Sequence, residues 1–145
     1  MAILRAFRSY PGSGKSTAAK MMFPGVLLLE NDQFLISDGE YKWSSERRNK
    51  AIDLCINFVK TALANNNDCI VANTFTKKRY VDAYKKIADE YGAKFEVYRC
   101  TGNFKNVHGL SDELVQNFKD AMEDYPGEII VNPIDMTATD CNDSV

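Results

Sequence analysis

A chain of 145 residues that is 45% hydrophobic and 26% charged has the size and balance of one folded domain with a core, which excludes a disordered or fibrous polypeptide. Its net charge of −2 and pI near 5.4 exclude a protein that coats nucleic acid through bulk charge, while leaving room for a local basic patch. Cys55, Cys69, Cys100 and Cys141 form no C-x-x-C pair and His108 is the single histidine, so no zinc site is expected. Cysteines inside apolar runs, with neither a signal-peptide nor a membrane-span pattern, point to reduced thiols and a cytoplasmic setting.

In chain order, Ala2-Ile3-Leu4-Arg5-Ala6-Phe7 is a short apolar strand. It runs into Arg8-Ser9-Tyr10-Pro11-Gly12-Ser13-Gly14-Lys15-Ser16-Thr17 and then a helix through Ala18-Ala19-Lys20-Met21-Met22. Strand, glycine loop and helix in that order are the setting of a phosphate-binding P-loop. Glycines let successive backbone N–H groups point at one anion, and the helix adds its unsatisfied N–H groups and dipole. In this motif Lys15 reaches the β- and γ-phosphates and the Ser16 hydroxyl joins a Mg²⁺ shell, so Pro11 to Thr17 are read as the nucleoside-triphosphate site. One position departs from G-x-x-x-x-G-K-[ST]: Ser9 stands where the first glycine is usual, at a cost of ~1 kcal/mol only if its φ is positive.

Pro24-Gly25 ends the helix, and Val26-Leu27-Leu28-Leu29 reads as a buried strand leading into Glu30-Asn31-Asp32. Asp32 therefore lies beyond a strand's carboxyl end, where open α/β sheets bind ligands; a turn or cap aspartate is the plainer alternative. Asp38-Gly39 is a turn, and Ser44 or Ser45 caps a helix whose apolar face is Ile52, Cys55, Ile56, Val59, Ala62 and Leu63. Cys69-Ile70-Val71-Ala72 is a strand entering Asn73-Thr74; the next helix presents Tyr80, Tyr84, Ile87, Ala88 and Tyr91 and stops at Gly92. Lys94 to Cys100 is a strand, 101–111 is a loop, and a helix from Ser111 turns Leu114, Val115, Phe118, Met122 and Tyr125 inward. Glu128-Ile129-Ile130-Val131 is the last strand, and 133–145 is a polar tail expected to fray. Strands separated by helices give a parallel sheet covered on both faces.

Charge placement adds a second feature. Arg47, Arg48 and Lys50 fall at the start of one helix and Lys77, Lys78 and Arg79 at the start of another, where cations are disfavoured by about 0.3–1 kcal/mol each. On a chain of net negative charge, such clusters on the P-loop rim suit the phosphates of a second substrate. Long side chains directed into solvent are the alternative.

These residues resemble the small P-loop kinase-like ATPases that include the 5′-hydroxyl polynucleotide kinases of bacteriophages. The likeness runs from Ile3 to about Pro126, on Pro11 to Thr17, Asp32, Asp38-Gly39-Glu40-Tyr41, Asn73-Thr74 and Lys105-Asn106-Val107-His108-Gly109-Leu110-Ser111. It implies a three-layer αβα sandwich with a central parallel sheet of about five strands, a lid at about 101–111, and a kinase-like domain over 1–132. It also implies ATP and Mg²⁺ as cofactors and Asp32 as the base that takes the acceptor hydroxyl's proton, a role that needs a carboxylate within hydrogen-bond reach. Asn73 and Thr74 match residues that orient the acceptor. Lys105 stands where the lid usually carries an arginine, trading a bidentate clamp for a point charge, and His108 braces the lid. Ala72 stands where relatives often have an acid, so either Ser16 with waters holds the metal or Asp32 does so indirectly, and in the second case Asp32 is not the base. The implied activity is phosphoryl transfer from ATP to a 5′-hydroxyl of single-stranded or terminal DNA or RNA. Two other expectations stay open: a nucleoside, nucleotide or other small-molecule kinase, its pocket lined by Phe34, Tyr41 and Trp43, and an ATP-binding switch.

Overall fold

The computed structural model describes residues 1–37, 39–104 and 110–133. Asp38, the lid residues 105–109 with Lys105 and His108, and the tail from 134 with Cys141 lie outside the described residues. In chain order the elements are β1 (Ile3–Arg8), α1 (Lys15–Met22), β2 (Leu27–Leu29), a 3-10 turn (Asn31–Leu35), β3 (Ile36–Ser37) and β4 (Glu40–Tyr41). Then come α2 (Ser45–Ala64), β5 (Cys69–Asn73), α3 (Lys78–Glu90), β6 (Lys94–Cys100), α4 (Asp112–Ala121) and β7 (Ile129–Val131).

Five strands form one all-parallel sheet in the order β2-β5-β1-β6-β7, while β3 and β4 pair antiparallel as a separate hairpin. β1 is central, and its register against β5 pairs Leu4 with Cys69 and Arg8 with Asn73. Parallel order brings the carboxyl ends of β1, β2 and β5 to one rim, which is what gathers the site.

Two apolar layers flank the sheet. Leu4, Ala6, Val71 and Val97 pack with Cys55 and Val59 of α2 and Val81, Tyr84 and Ala88 of α3. On the other face Phe7, Ile70, Ala72 and Tyr98 pack with Ala18 and Ala19 of α1. Phe7 and Tyr98 stack with centroids 4.7 Å apart. Buried side chains of this size contribute roughly 1.5–3 kcal/mol each relative to exposure. The three-layer αβα sandwich expected from the resemblance is therefore the fold.

Two helix faces differ from the sequence reading. In α3 the inward residues are Val81, Tyr84, Ile87 and Ala88, whereas Tyr80 and Tyr91 are each 41% exposed. α4 has no buried residue, and Leu114 is exposed. Its apolar spacing is helical, but its contacts among the described residues are peripheral: Lys119 lies over the Tyr10 ring and the Ala121 carbonyl accepts from Lys77 Nζ at 3.4 Å. Cys55, Cys69 and Cys100 are buried free thiols, and burial pushes Cys69 up to about 12 and Cys100 up to about 11. Such thiols are inert nucleophiles.

Candidate active site at the P-loop

The loop after β1 has the geometry of an anion cradle. Gly12 and Gly14 adopt φ of +81° and +89°, and Gly14 is the N-cap of α1, which no side chain caps. The outer face of the loop is zipped to the start of the lid segment. Gly102 N–H donates to the Ser13 carbonyl at 3.0 Å and Phe104 N–H to the Gly12 carbonyl at 2.7 Å. A trans peptide turns its C=O and N–H opposite ways, so the bond to the Ser13 carbonyl directs the Gly14 N–H to the other side of the loop, while the Ser13 N–H donates to the Tyr10 carbonyl at 3.3 Å. A Cβ on Gly14 would meet Phe104 at 2.8 Å and Pro133 at 2.9 Å, so only glycine fits beneath them.

Ser9 does not have a positive φ, so its replacement of the usual glycine carries no backbone cost. It is fully buried, and its carbonyl accepts from Lys15 Nζ at 3.1 Å; the Tyr10 carbonyl accepts from the same ammonium at 3.2 Å. Burial pushes the Lys15 ammonium below an ordinary lysine, against the opposite pull of Cys100, Glu30 and Asp32. Lys15, Glu30 and Asp32 therefore share one electrostatic neighbourhood. Pro11 and Ser16 are half-buried, Ser13 is buried, and Thr17 is exposed on α1.

Glu30 is the residue that sequence reasoning missed. It follows the last residue of β2, and its carboxylate accepts a hydrogen bond from the Ser16 hydroxyl. The only available signal was a charged residue at the exact end of an apolar run. Between Glu30 and Asp32, the Asn31 N–H donates to Asn73 Oδ1 at 2.9 Å, so the end of β5 braces the turn that carries both carboxylates. Asn73 thus stands at the site rim, with Thr74 half-buried beside it. Among the described residues no cluster of three or more His, Cys, Asp or Glu could cage a metal. Ser16 with the Glu30 carboxylate beside it offers oxygens of the kind Mg²⁺ takes jointly with phosphates.

The basic residues gather near Tyr80. Arg79 donates to the Tyr80 hydroxyl at 3.1 Å, and the charges of Arg48 and Lys77 act on the same phenol. Arg48, Lys78 and Arg79 are all exposed. An internal acid already serves this corner, however: Glu123 Oε1 accepts from the Lys78 N–H at 2.8 Å. Arg8, fully buried, ties the region together. It donates to the Phe75 carbonyl at 3.1 and 2.8 Å and the Glu123 carbonyl at 2.7 Å, and pairs with Glu128 at 2.8 Å. Phe75 itself sits at φ +45°, a left-handed conformation costing about 1–3 kcal/mol for such a residue, and Arg8 holds it there.

Of the expected aromatic platform, Phe34 stacks on Phe58 at 5.6 Å as part of the packing, while Trp43 is 58% exposed. Two surface clefts of about 650 and 490 Å³ include neither the P-loop nor Glu30 or Asp32, one lined by Gly25, Leu27 and Phe58 and the other by Lys78, Lys85, Phe95 and Ile129. No helix among the described residues is long and apolar enough to cross a membrane.

Comparison with known proteins agrees with this geometry. The AAA domain family matches residues 8–102, which include the P-loop, both carboxylates and Asn73. An uncharacterized protein of Pasteurella multocida (strain Pm70) is 34% identical over 162 residues, taking in 99% of this chain and 90% of its own length. Among solved structures, the chain is similar to a sugar kinase from Janibacter sp. HTCC2649, with TM-score 0.66 and 14% identity over 98% of this chain and 94% of that one. It is also similar to a gluconokinase from Sinorhizobium meliloti 1021, with TM-score 0.55 and 15% identity over 90% and 81%. A chain of the Pnkp1/Rnl/Hen1 RNA repair complex matches with TM-score 0.60 and 21% identity over 87% of this chain and 40% of that one. At these identities the likeness is one of fold. With its P-loop intact and two thirds of its length matched, the chain belongs to the AAA domain family and has a kinase-like P-loop fold.

Proposed function

We propose that the chain transfers the γ-phosphoryl group of ATP to a 5′-hydroxyl at a polynucleotide end. The observation that carries this reading is the convergence of Lys15, Glu30, Asp32 and Ser16 at the carboxyl ends of β1 and β2, beside an uncapped helix N-terminus. Transfer to a hydroxyl needs phosphate held in line, charge neutralised, and a carboxylate near the attacking oxygen. In this scheme the N–H groups at Gly14, Lys15 and Ser16 hold the phosphates, and Lys15 leaves the Ser9 and Tyr10 carbonyls to meet the β- and γ-oxygens. Mg²⁺, held by Ser16 and the phosphates, would neutralise charge on the triphosphate. Asp32 takes the acceptor's proton as its oxygen bonds to the γ-phosphorus and the bond to the β-phosphate oxygen breaks, releasing ADP.

Asn73 and Thr74 orient the acceptor, Arg48, Lys78 and Arg79 hold acceptor phosphates, and Lys105 keeps the lid role that the resemblance implies for it. The grouping of those cations around Tyr80 favours a polyanionic acceptor over a neutral one. Fold likeness to a sugar kinase and a gluconokinase over nearly the whole chain supports a second reading, a small hydroxylated acceptor.

The test offers γ-labelled ATP and Mg²⁺ with 5′-hydroxyl DNA and RNA beside nucleosides and sugars, including Asp32→Asn. Label on an oligonucleotide 5′ end, lost in the variant, is the expected result. Label on a small acceptor alone selects the second reading. ATP binding with no transfer to any acceptor leaves a nucleotide-dependent switch and overturns both.

A further inference from the structure

Glu30 occupies a place that the P-loop motif does not require. Its backbone opens the 3-10 turn after β2: its N–H donates to Gln33 Oε1 at 3.0 Å, while Gln33 N–H donates back to the Glu30 carbonyl at 3.3 Å. That is the reciprocal pattern of a capped helix start, completed by Gln33 rather than by the Glu30 side chain. The carboxylate is thereby left to cross to α1, where it accepts the Ser16 hydroxyl proton. Its charge and that of Asp32 both act on Lys15.

We infer that Glu30 is a positioning residue that makes nucleotide binding depend on the divalent cation. The inference rests on the P-loop reading above. A hydroxyl whose proton is held by a carboxylate presents its lone pairs in a fixed direction and is a better oxygen donor, as second partners of metal ligands generally arrange. The same negative charge beside the cradle opposes a bare di- or triphosphate. Glu30 thus acts in two directions: it strengthens the metal-loaded complex through Ser16 and weakens the metal-free one through its charge.

Calorimetric titration with ADP, in chelator and in saturating Mg²⁺, tests this without turnover. Wild type, Glu30→Gln, Ser16→Ala and the double variant would be compared. Glu30→Gln is expected to tighten metal-free binding and to lower the Mg²⁺ enhancement by about 10-fold, the low end for losing a metal ligand's supporting partner. In the Ser16→Ala background the Mg²⁺ part of that effect should vanish, since the two residues act as one unit. An enhancement equal in wild type and Glu30→Gln, with both binding ADP, would overturn the inference and leave the P-loop reading intact. Failure of wild type to bind ADP under either condition would instead overturn the P-loop reading itself.

Discussion

Four α-helices lie wholly among the described residues, and their N-termini fall into two pairs. α2 and α4 are closed locally: Ser44 accepts from the Arg47 N–H and Ser111 from the Leu114 N–H, and acids lie in both first turns. α1 and α3, which follow β1 and β5 on the same rim, have no side-chain cap at the N-cap residue and no acid in the first turn. Both begin with lysine. They then differ from each other, because α3 borrows the Glu123 carboxylate from 45 residues away, whereas α1 stays open beneath a glycine cradle. An uncapped helix start is therefore not by itself a binding site. What marks α1 is that its neighbours, Lys15, Ser16 and Glu30, are arranged around the opening rather than filling it.

The contrast can be broken at Arg8, where the largest effect is expected. Its guanidinium is buried with Glu128 and holds the Glu123 and Phe75 carbonyls, so Arg8→Ala leaves the buried Glu128 with only its longer 3.4 Å pair to Arg99 and releases the acid from α3. A loss of about 3–5 kcal/mol is expected, read as a lowered midpoint in urea. Glu123→Ala should act more narrowly. Removing the borrowed cap costs about 1 kcal/mol of stability, and the opened N-terminus beside Lys77, Lys78 and Arg79 should bind inorganic phosphate more tightly than wild type. No gain in phosphate binding would show that the α3 start has no anion affinity to unmask.

The smallest effect is in pH. Because burial lowers Lys15, its charged form is disfavoured in the free folded protein; that penalty is present below the lowered pKa and fades as pH rises through it. Bound phosphate favours the charged form, so nucleotide affinity should fall as pH rises through the lowered value, before the 10.5 of an ordinary lysine. A roughly threefold loss per pH unit is expected there, and Lys15→Arg, whose charge persists, should lack it.

The parts of this site legible in the sequence were the local ones. The strand, loop and helix from Ile3 to Met22, the Ser44 cap and the strand Lys94 to Cys100 follow from spacing over a few residues, and each is found in place. The hidden parts depend on the sheet order. Glu30 meets Ser16 across β5, Asn73 braces Asn31 from 42 residues away, and Glu123 reaches Lys78 from 45 residues away. α4 shows the converse. Its helical spacing states which face can be buried, yet Leu114 is exposed among the described residues, because burial also needs a neighbouring element to supply the other half of a core. The basic cluster of α3 reads from sequence as a ligand site, yet part of its explanation is an internal carboxylate that no local pattern reveals.

The most direct test is a titration of Mg²⁺·ATP into wild type, Lys15→Ala and Glu123→Ala in parallel. The account predicts that Lys15→Ala weakens binding by about 30-fold or more, the size of a lost buried charge contact, while Glu123→Ala stays close to wild type. Equal affinity for wild type and Lys15→Ala, or loss of binding in Glu123→Ala alone, would contradict the assignment of the nucleotide to α1.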